Sequence, residues 1–241
     1  MGVGGDVVLA RVIGAEAFAD VFFVAFKIPN FFRRLFAEGA FAQAFVPILG
    51  EYREKGSQAA VRGLVSRVSG TLGLTLLLFT AFIVLIAPAM AAIFAPSWYM
   101  AEPVKFVATA DMLRITFPYL FFISMTGVAG GILNSYDRFA VPAFTPILLN
   151  ITLICAALFA APLFDQPAFA LAWGVLIAGI VQFIFQLPFL RRIHMLPAPI
   201  IDWHDSGVRK ILLLMGPAIF GCPLYTSDAA YDHLRLTLRG R

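Results

Sequence analysis

The sequence contains little charge. Only 13% of its 241 residues are Asp, Glu, Lys or Arg, whereas soluble domains carry about 25%. Hydrophobic residues make up 61% of the chain, and its mean hydropathy is +0.87. This apolar excess extends along the whole sequence, which excludes an ordinary soluble domain with a single anchor. We expect an all-α, multi-pass membrane protein.

Cysteine and histidine are also scarce. Cys155, within an apolar segment, and Cys222, near the end, make neither a disulfide framework nor a metal site. The sequence has no Walker loop and no His/Cys spacing that would hold a metal, so no cofactor and no metal are expected. The net charge of +4 does not indicate nucleic-acid binding, because most of the basic residues fall outside the apolar segments and form no soluble patch.

Seven apolar segments are predicted to be membrane helices, several of them interrupted by Pro or Gly. They cover residues 3–13, 17–49, 68–94, 106–134, 142–161, 168–190 and 211–221. The first and the last are shorter than the about 20 residues that a membrane helix needs. Residues 1–221 are therefore expected to form one transmembrane bundle that is truncated at both ends.

The distribution of Lys and Arg predicts the orientation of the bundle. Two basic residues, Arg11 and Lys105, occur in one set of connections. The alternate connections carry Arg53, Lys55, Arg62, Arg67, Arg138, Arg191, Arg192, Arg209 and Lys210. The second set is expected to be cytoplasmic, together with the N-terminus.

Residues 222–241 break the pattern, because polar and charged residues replace the apolar ones part-way through the seventh segment. A half-span that ended in this way would leave backbone groups unsatisfied at membrane depth. We expect this tail not to be native and to be a translated sequencing adapter. A genuine soluble tail is the alternative.

The segment 17–49 contains five charges, Asp20, Lys27, Arg33, Arg34 and Glu38. A charge at the centre of a membrane helix costs about 2.5–3.5 kcal/mol on insertion scales. These charges therefore need water, one another or a polar ligand, which makes this segment the first place to look for a functional site.

Helical periodicity places Asp20, Lys27 and Arg34 within about 40° of one another, and Glu38 follows Arg34 by one turn. The functional interpretation is a polar stripe that lines a cavity, with planar guanidinium groups presented to phosphate or carboxylate. In the alternative, the span ends near residue 32, and Arg33 and Arg34 extend to the headgroups.

Other polar residues in the apolar segments are expected to be structural. Asp111 and Arg114, three residues apart, are predicted to form an ion pair. Asn134, Asn150, Gln182 and Gln186 are expected to join helices. Asp6, in the short first segment, remains a candidate for the cavity.

Four stretches of the chain are distinctive: DVFFVAFKIPNFFRRLFAEGAFAQAFVPILGEYR (20–53), ITFPYLFFISMTGVAGGILNSYDRFAVPAFTPILLNI (115–151), QLPFLRR (186–192) and MGPAIFG (215–221). They closely resemble the MurJ/MviN family of lipid II flippases. The resemblance covers nearly all of residues 2–221.

The resemblance implies the multidrug/oligosaccharidyl-lipid/polysaccharide exporter fold, in which two helical bundles surround a central cavity. This chain would be about the first bundle, and the second would be its partner. The resemblance also implies functional charges in the cavity, which match Asp6, Asp20, Arg33, Arg34 and Glu38 here. Gly5 stands where the family has an arginine, which leaves the phosphate-binding role of that position lost or shared.

The implied function is lipid II transport across a bacterial inner membrane for peptidoglycan synthesis, by a transporter rather than an enzyme. Lipid II and membrane lipids are the expected partners, with Arg33, Arg34, Asp20, Glu38, Asp6 and Lys27 as substrate-binding candidates. A cation-coupled multidrug exporter and a prenyl-phosphate membrane enzyme are the alternatives. The exporter would favour acidic residues facing its substrate, and the enzyme would need an acidic metal-binding motif, which the sequence lacks.

Overall fold

A computed structural model of the chain describes residues 19–33, 41–211 and 213–214, and all of its regular secondary structure there is helical. The prediction of an all-α bundle is therefore confirmed for these ranges. The first predicted span, most of the seventh and the whole of residues 222–241 lie outside them. The boundary at residue 221 stays a prediction.

The charged segment contains two helices where one interrupted span was predicted. Helix α1 covers Ala19–Arg33 with Pro29 inside it, and helix α2 covers Phe41–Lys55 with Pro47 inside it. Helix α1 packs against the later helices α6, α7 and α9, whereas α2 packs against α3 and α7. The two helices therefore occupy different parts of the bundle.

Helix α3, Gln58–Leu85, begins ten residues before the predicted span. Ser57 caps it by accepting a hydrogen bond from the backbone N–H of Ala60. Arg62 and Arg67 are consequently helical, which corrects their expected place in a loop. After a break at Ile86, the chain continues as α4, Ala87–Phe94, and α5, Pro96–Ala101.

The remaining helices follow the predicted spans more closely. Helices α6, Pro103–Thr116, and α7, Tyr119–Ser135, are separated at the expected Pro118. Helix α8, Ala140–Cys155, is extended by a π-helical turn and a 3₁₀ turn as far as Leu163. Helix α9 covers Pro167–Arg192, and its N-terminal proline occupies a position where no intrahelical N–H is needed.

Four helical segments within the described ranges are long and apolar enough to cross a membrane. They are Gln58–Leu85, Pro103–Ser135, Ala140–Leu163 and Pro167–Arg192. They correspond to the third to sixth predicted spans, so that part of the prediction is confirmed. Large apolar side chains such as Leu78 and Leu85 are exposed on α3, as expected for a surface that faces lipid.

Helix α9 is at the centre of the packing and contacts α1, α6, α7 and α8. A small residue permits its closest approach: a Cβ on Gly179 would lie 2.7 Å from the ring of Tyr119. Small residues let membrane helices approach closely in this way, since packing rather than the hydrophobic effect drives their association.

Several contacts of charged residues lie at the end of the bundle near Ser135. Arg53 donates to the backbone carbonyl of Ser135, and its guanidinium lies 4.8 Å from the ring centroid of Tyr136. Lys210 forms an ion pair with Glu51 at 2.9 Å. Lys105 lies at the opposite end, since α6 and α7 together span the membrane thickness between it and Ser135.

The connection after α9, residues 193–205, lies along α3; we call it the strap. The backbone N–H of Ile200 donates to the Ser66 carbonyl at 3.0 Å. Arg67 binds Asp205 at 3.0 Å and Asp202 at 3.7 Å. The strap lies so close to the helix that a Cβ on Gly70 would be 2.5 Å from the Ile200 nitrogen.

Candidate functional site

A cavity of about 700 Å³ lies among α1, α2, α7, α8 and α9. Its wall combines aromatic rings, three glycines and a set of polar side chains. The polar members are Asn30, Arg33, Thr126, Asn134, Thr145, Asn150, Gln182 and Gln186. The described wall thus contains a cation and several amides but no acidic side chain.

Helix α1 contributes Phe26, Asn30 and Arg33, which share one face because they are four and three residues apart. The Nε–H of Arg33 donates to the Asn30 side-chain oxygen at 2.9 Å. This bond fixes the direction of a half-buried guanidinium at the last turn of the helix. A guanidinium held in this way can present a planar fork of donors to a phosphate or a carboxylate.

Glycines on α7 make room for the cavity. Gly127, Gly130 and Gly131 all line it. A Cβ on Gly130 would lie 3.4 Å from Pro142 of α8, and one on Gly131 would lie 3.3 Å from the ring of Phe45 of α2. Larger residues here would push α7 away from its neighbours or occupy the cavity.

The six predicted site residues fall into three groups: one lines the cavity, two do not, and three lie outside the described residues. Arg33 lies in the cavity wall. Asp20 and Lys27 are exposed and do not line the cavity. Arg34, Glu38 and Asp6 lie outside the described residues.

Of the expected stripe, only Asp20 and Lys27 lie within the described residues, and neither of them lines the cavity. Asp20 and Lys27 share the exposed side of α1 with Phe31, which is 51% exposed and does not line the cavity. Arg33, which the periodicity separated from this stripe, is the residue that reaches the cavity. Periodicity identifies which residues share a face, but only the packing of neighbouring helices decides what that face meets.

The amides of α7, α8 and α9 are the residues that sequence reasoning assigned to another role. Asn134, Asn150, Gln182 and Gln186 were expected to join helices, and all four line the cavity. Gln182 lines the cavity and also joins two helices, because its Nε2 donates to the Thr145 carbonyl of α8 at 2.7 Å. The sequence signal that could have identified this wall is the pair Gln182 and Gln186, four residues apart in an otherwise apolar helix.

Comparison with known proteins assigns this architecture to a family. The family model described as "Lipid II flippase MurJ" matches residues 9–226. The chain belongs to the MurJ family. Its membership agrees with the resemblance carried by the charged segment.

Two relatives of this MurJ family member are named "Probable lipid II flippase MurJ". The one from Haemophilus influenzae is 45% identical over 227 residues, which cover 92% of this chain and 44% of the relative. The one from Vibrio cholerae is 46% identical over 238 residues, with 96% and 45% covered. The chain thus spans less than half the length of these relatives.

A solved structure, "Lipid II flippase MurJ, inward closed conformation", has the same fold as this MurJ family member. The TM-score is 0.68 at 25% identity, and the match covers 90% of this chain and 44% of that one. The prediction that the chain forms about one half of a two-bundle fold is therefore confirmed, and the chain is a multi-pass membrane protein.

Proposed function

We propose that this chain is the first bundle of a lipid II flippase, a transporter that moves the lipid-linked headgroup from the cytoplasmic to the outer leaflet. Membership of the MurJ family supports the proposal. The observation that carries it is Arg33 in the wall of a cavity within the helical bundle. Lipid II would be the substrate, and a second bundle would be the partner that completes the cavity.

The position of Arg33 along the chain supports its place within the membrane. Helix α2 follows it with the buried side chains Phe41, Phe45 and Leu49 before the first charge of that helix, Glu51, at the basic end. Along the chain, the apolar part of α2 therefore separates Arg33 from that basic end. The cavity offers the polar environment that a charge at this depth requires.

In the proposed mechanism the guanidinium of Arg33 binds the pyrophosphate or an acidic group of the peptide. Arg34 would act beside it, and Glu38 and Asp6 would bind the headgroup or hold the arginines between cycles, whereas Asp20 and Lys27 lie outside the cavity wall. The prenyl tail would remain in lipid while the two bundles rock around the cavity and expose it to the other side. No covalent chemistry is involved.

The described wall favours an anionic substrate over the cationic drugs of the alternative exporter. A site for an organic cation would place carboxylates against it, and no Asp or Glu lines the described part of this cavity. The uncharged amides that accompany Arg33 suit a headgroup with many hydroxyl and amide groups.

We also propose a bacterial inner-membrane location with the basic end of the bundle in the cytoplasm. The support is the collection of Arg53, Arg67 and Lys210 at that end, opposite Lys105. Positive residues are retained on the cytoplasmic side of membrane proteins. The cytoplasmic N-terminus follows from the same assignment.

Binding of lipid II to the chain in lipid nanodiscs tests the proposal. We expect Arg33→Ala to weaken binding by about 10-fold or more, as loss of a charged hydrogen bond does. Arg114→Ala is the matched control, because it removes the same charge from a residue paired with Asp111 outside this cavity. Equal affinity of the Arg33→Ala variant and the unmodified chain would contradict the proposal.

Transport is tested in a chimera in which residues 1–214 replace the equivalent half of the Haemophilus influenzae relative. The chimera is expected to support growth when the relative is depleted, and the chimera with Arg33→Ala is expected to fail. Full support by the Arg33→Ala chimera would show that this residue is not required.

A further inference from the structure

The cavity wall formed by α9 contains two buried amide oxygens without partners. Gln182 and Gln186 are 2% and 1% exposed, and both line the cavity. The Oε1 atom of each has no hydrogen-bond partner within the part of the chain that the structure describes. A buried acceptor left in this state costs about 1–3 kcal/mol, so two on one wall require an explanation.

The orientation of the Gln182 amide is fixed by its neighbour. Its Nε2 donates to the carbonyl oxygen of Thr145, which can only accept, so the oxygen of the amide must be the atom that points elsewhere. Gln186 lies four residues later on the same face of α9, about 6 Å further along the helix axis. The two amides thus lie one turn apart on the face of α9 that lines the cavity.

Two hydroxyls in the wall already use their hydrogens within the protein. The hydroxyl of Thr126 donates to the Phe122 carbonyl at 2.8 Å, and that of Thr145 donates to the Pro142 carbonyl at 2.7 Å. These hydroxyls therefore do not supply the donor that the Gln oxygens lack. No group among the described residues donates to these oxygens, which leaves them able to accept from a ligand in the cavity.

We propose that Gln182 and Gln186 form a subsite for the uncharged part of the transported headgroup. The inference rests on the proposed function and adds to it that the cavity has two parts, one that binds neutral groups and one that binds the anion. Carbonyl oxygens repel a pyrophosphate and accept from neutral O–H and N–H groups, whereas Arg33, on α1, attracts the anion. The saccharide hydroxyls and the amides of the peptide carry such neutral donors, and the prenyl pyrophosphate carries none.

The test compares two probes on the 241-residue chain in nanodiscs: lipid II, and undecaprenyl pyrophosphate without saccharide. The variant is Gln182→Met with Gln186→Met, which keeps the length of both side chains and removes the acceptors. We expect lipid II to bind about 10-fold more weakly, as loss of two neutral hydrogen bonds predicts, and undecaprenyl pyrophosphate to bind as before.

Two further variants separate the subsite from general damage. Gln186→Met alone leaves the bond from Gln182 to Thr145 intact and should still weaken lipid II selectively. Ser124→Ala is the control, because its buried hydroxyl oxygen also lacks a partner but does not line the cavity. It should change neither affinity.

A third probe, undecaprenyl-pyrophosphoryl disaccharide without peptide, distinguishes the sources of the donors. If the double Met variant also binds this probe more weakly, the donors belong to the saccharide. If the variant binds only peptide-bearing lipid II more weakly, the donors belong to the peptide amides. Either result supports the subsite.

Three results would overturn the inference. Unchanged lipid II affinity in the double Met variant would mean that water satisfies both oxygens. Equal weakening of lipid II and undecaprenyl pyrophosphate would assign the loss to the packing of the bundle. If the unmodified chain bound neither probe, the proposed function would fall with the inference, whereas either of the first two results leaves that function standing.

Discussion

A pair of glycines on α3 gives the sharpest test of how the strap is attached. At Gly70 an added Cβ would lie 2.5 Å from the nitrogen and 2.6 Å from the carbonyl carbon of Ile200. Real Cβ atoms do not approach backbone that closely, so Gly70→Ala must displace the strap. At Gly73, one turn later, the nearest atom is the Met125 sulfur at 3.6 Å, an ordinary contact.

The expected magnitudes follow from these contacts. Both substitutions gain up to about 1 kcal/mol of helix propensity, so that gain cancels in the comparison. Gly70→Ala adds overpacking of about 1–3 kcal/mol. It also loses the bond between Ile200 and Ser66, worth about 0.5–1.5 kcal/mol. We therefore expect Gly70→Ala to be about 1.5–4.5 kcal/mol less stable than Gly73→Ala.

The assay is the free energy of unfolding in mixed detergent micelles, measured for both variants under the same conditions. Hydrogen exchange of the Ile200 and Asp202 amides reports on the strap itself. It should accelerate in Gly70→Ala and remain unchanged in Gly73→Ala. Equal stabilities with unchanged exchange would refute the reasoning, since they would mean that the strap does not lie against Gly70.

Three further predictions concern the strap, the cavity and the missing half. Arg67→Ala should lower the free energy of unfolding by about 1 kcal/mol or less, because both ion pairs are partly exposed. It should also accelerate hydrogen exchange in residues 200–205 more than Arg62→Ala does, and equal exchange in the two variants would contradict this prediction. Gly130→Leu should abolish lipid II binding by filling the cavity. Gly50→Leu is the control and should leave binding unchanged, because no atom lies within 4 Å of its Cβ site. Binding of lipid II by Gly130→Leu would contradict the assignment of this cavity as the binding site. The 241-residue chain alone should not translocate headgroups in liposomes, because one bundle cannot alternate access, and detection of translocation by fluorescence quenching would overturn this.

Much of the fold could be predicted from the sequence. Long apolar segments bounded by charged residues identify membrane helices, so the third to sixth spans and the break at Pro118 were predictable. The ion pair between Asp111 and Arg114, now at 2.6 Å, followed from helical spacing alone. Such features depend on local sequence, which is why they could be read directly.

Other features depend on contacts between distant segments. Arg67 was expected in a loop, but in the structure it lies on α3 and forms ion pairs with Asp202 and Asp205 of the strap. Helix α1 continues through Pro29 to Arg33, although proline commonly ends or kinks a helix. Neither outcome is encoded in the spacing of charges, because each is decided by what packs against the segment.

The site was predicted less completely than the fold. The arginines of the charged segment led to the cavity, but periodicity favoured the side with Asp20 and Lys27 over the side with Arg33. The amide wall was missed because Gln in a membrane helix ordinarily joins helices, as Gln182 partly does. Only the juxtaposition of α1 with α9 shows that cation and amides share one cavity.

Site-specific photocrosslinking tests most directly whether the headgroup binds beside Arg33. A photoreactive amino acid at Phe26, in the cavity wall, is compared with one at Leu78, which is 60% exposed on α3. We predict that lipid II crosslinks at position 26, that excess unlabelled lipid II competes, and that Arg33→Ala removes the product. Equal crosslinking at both positions, or crosslinking at 26 that survives Arg33→Ala, would contradict the account.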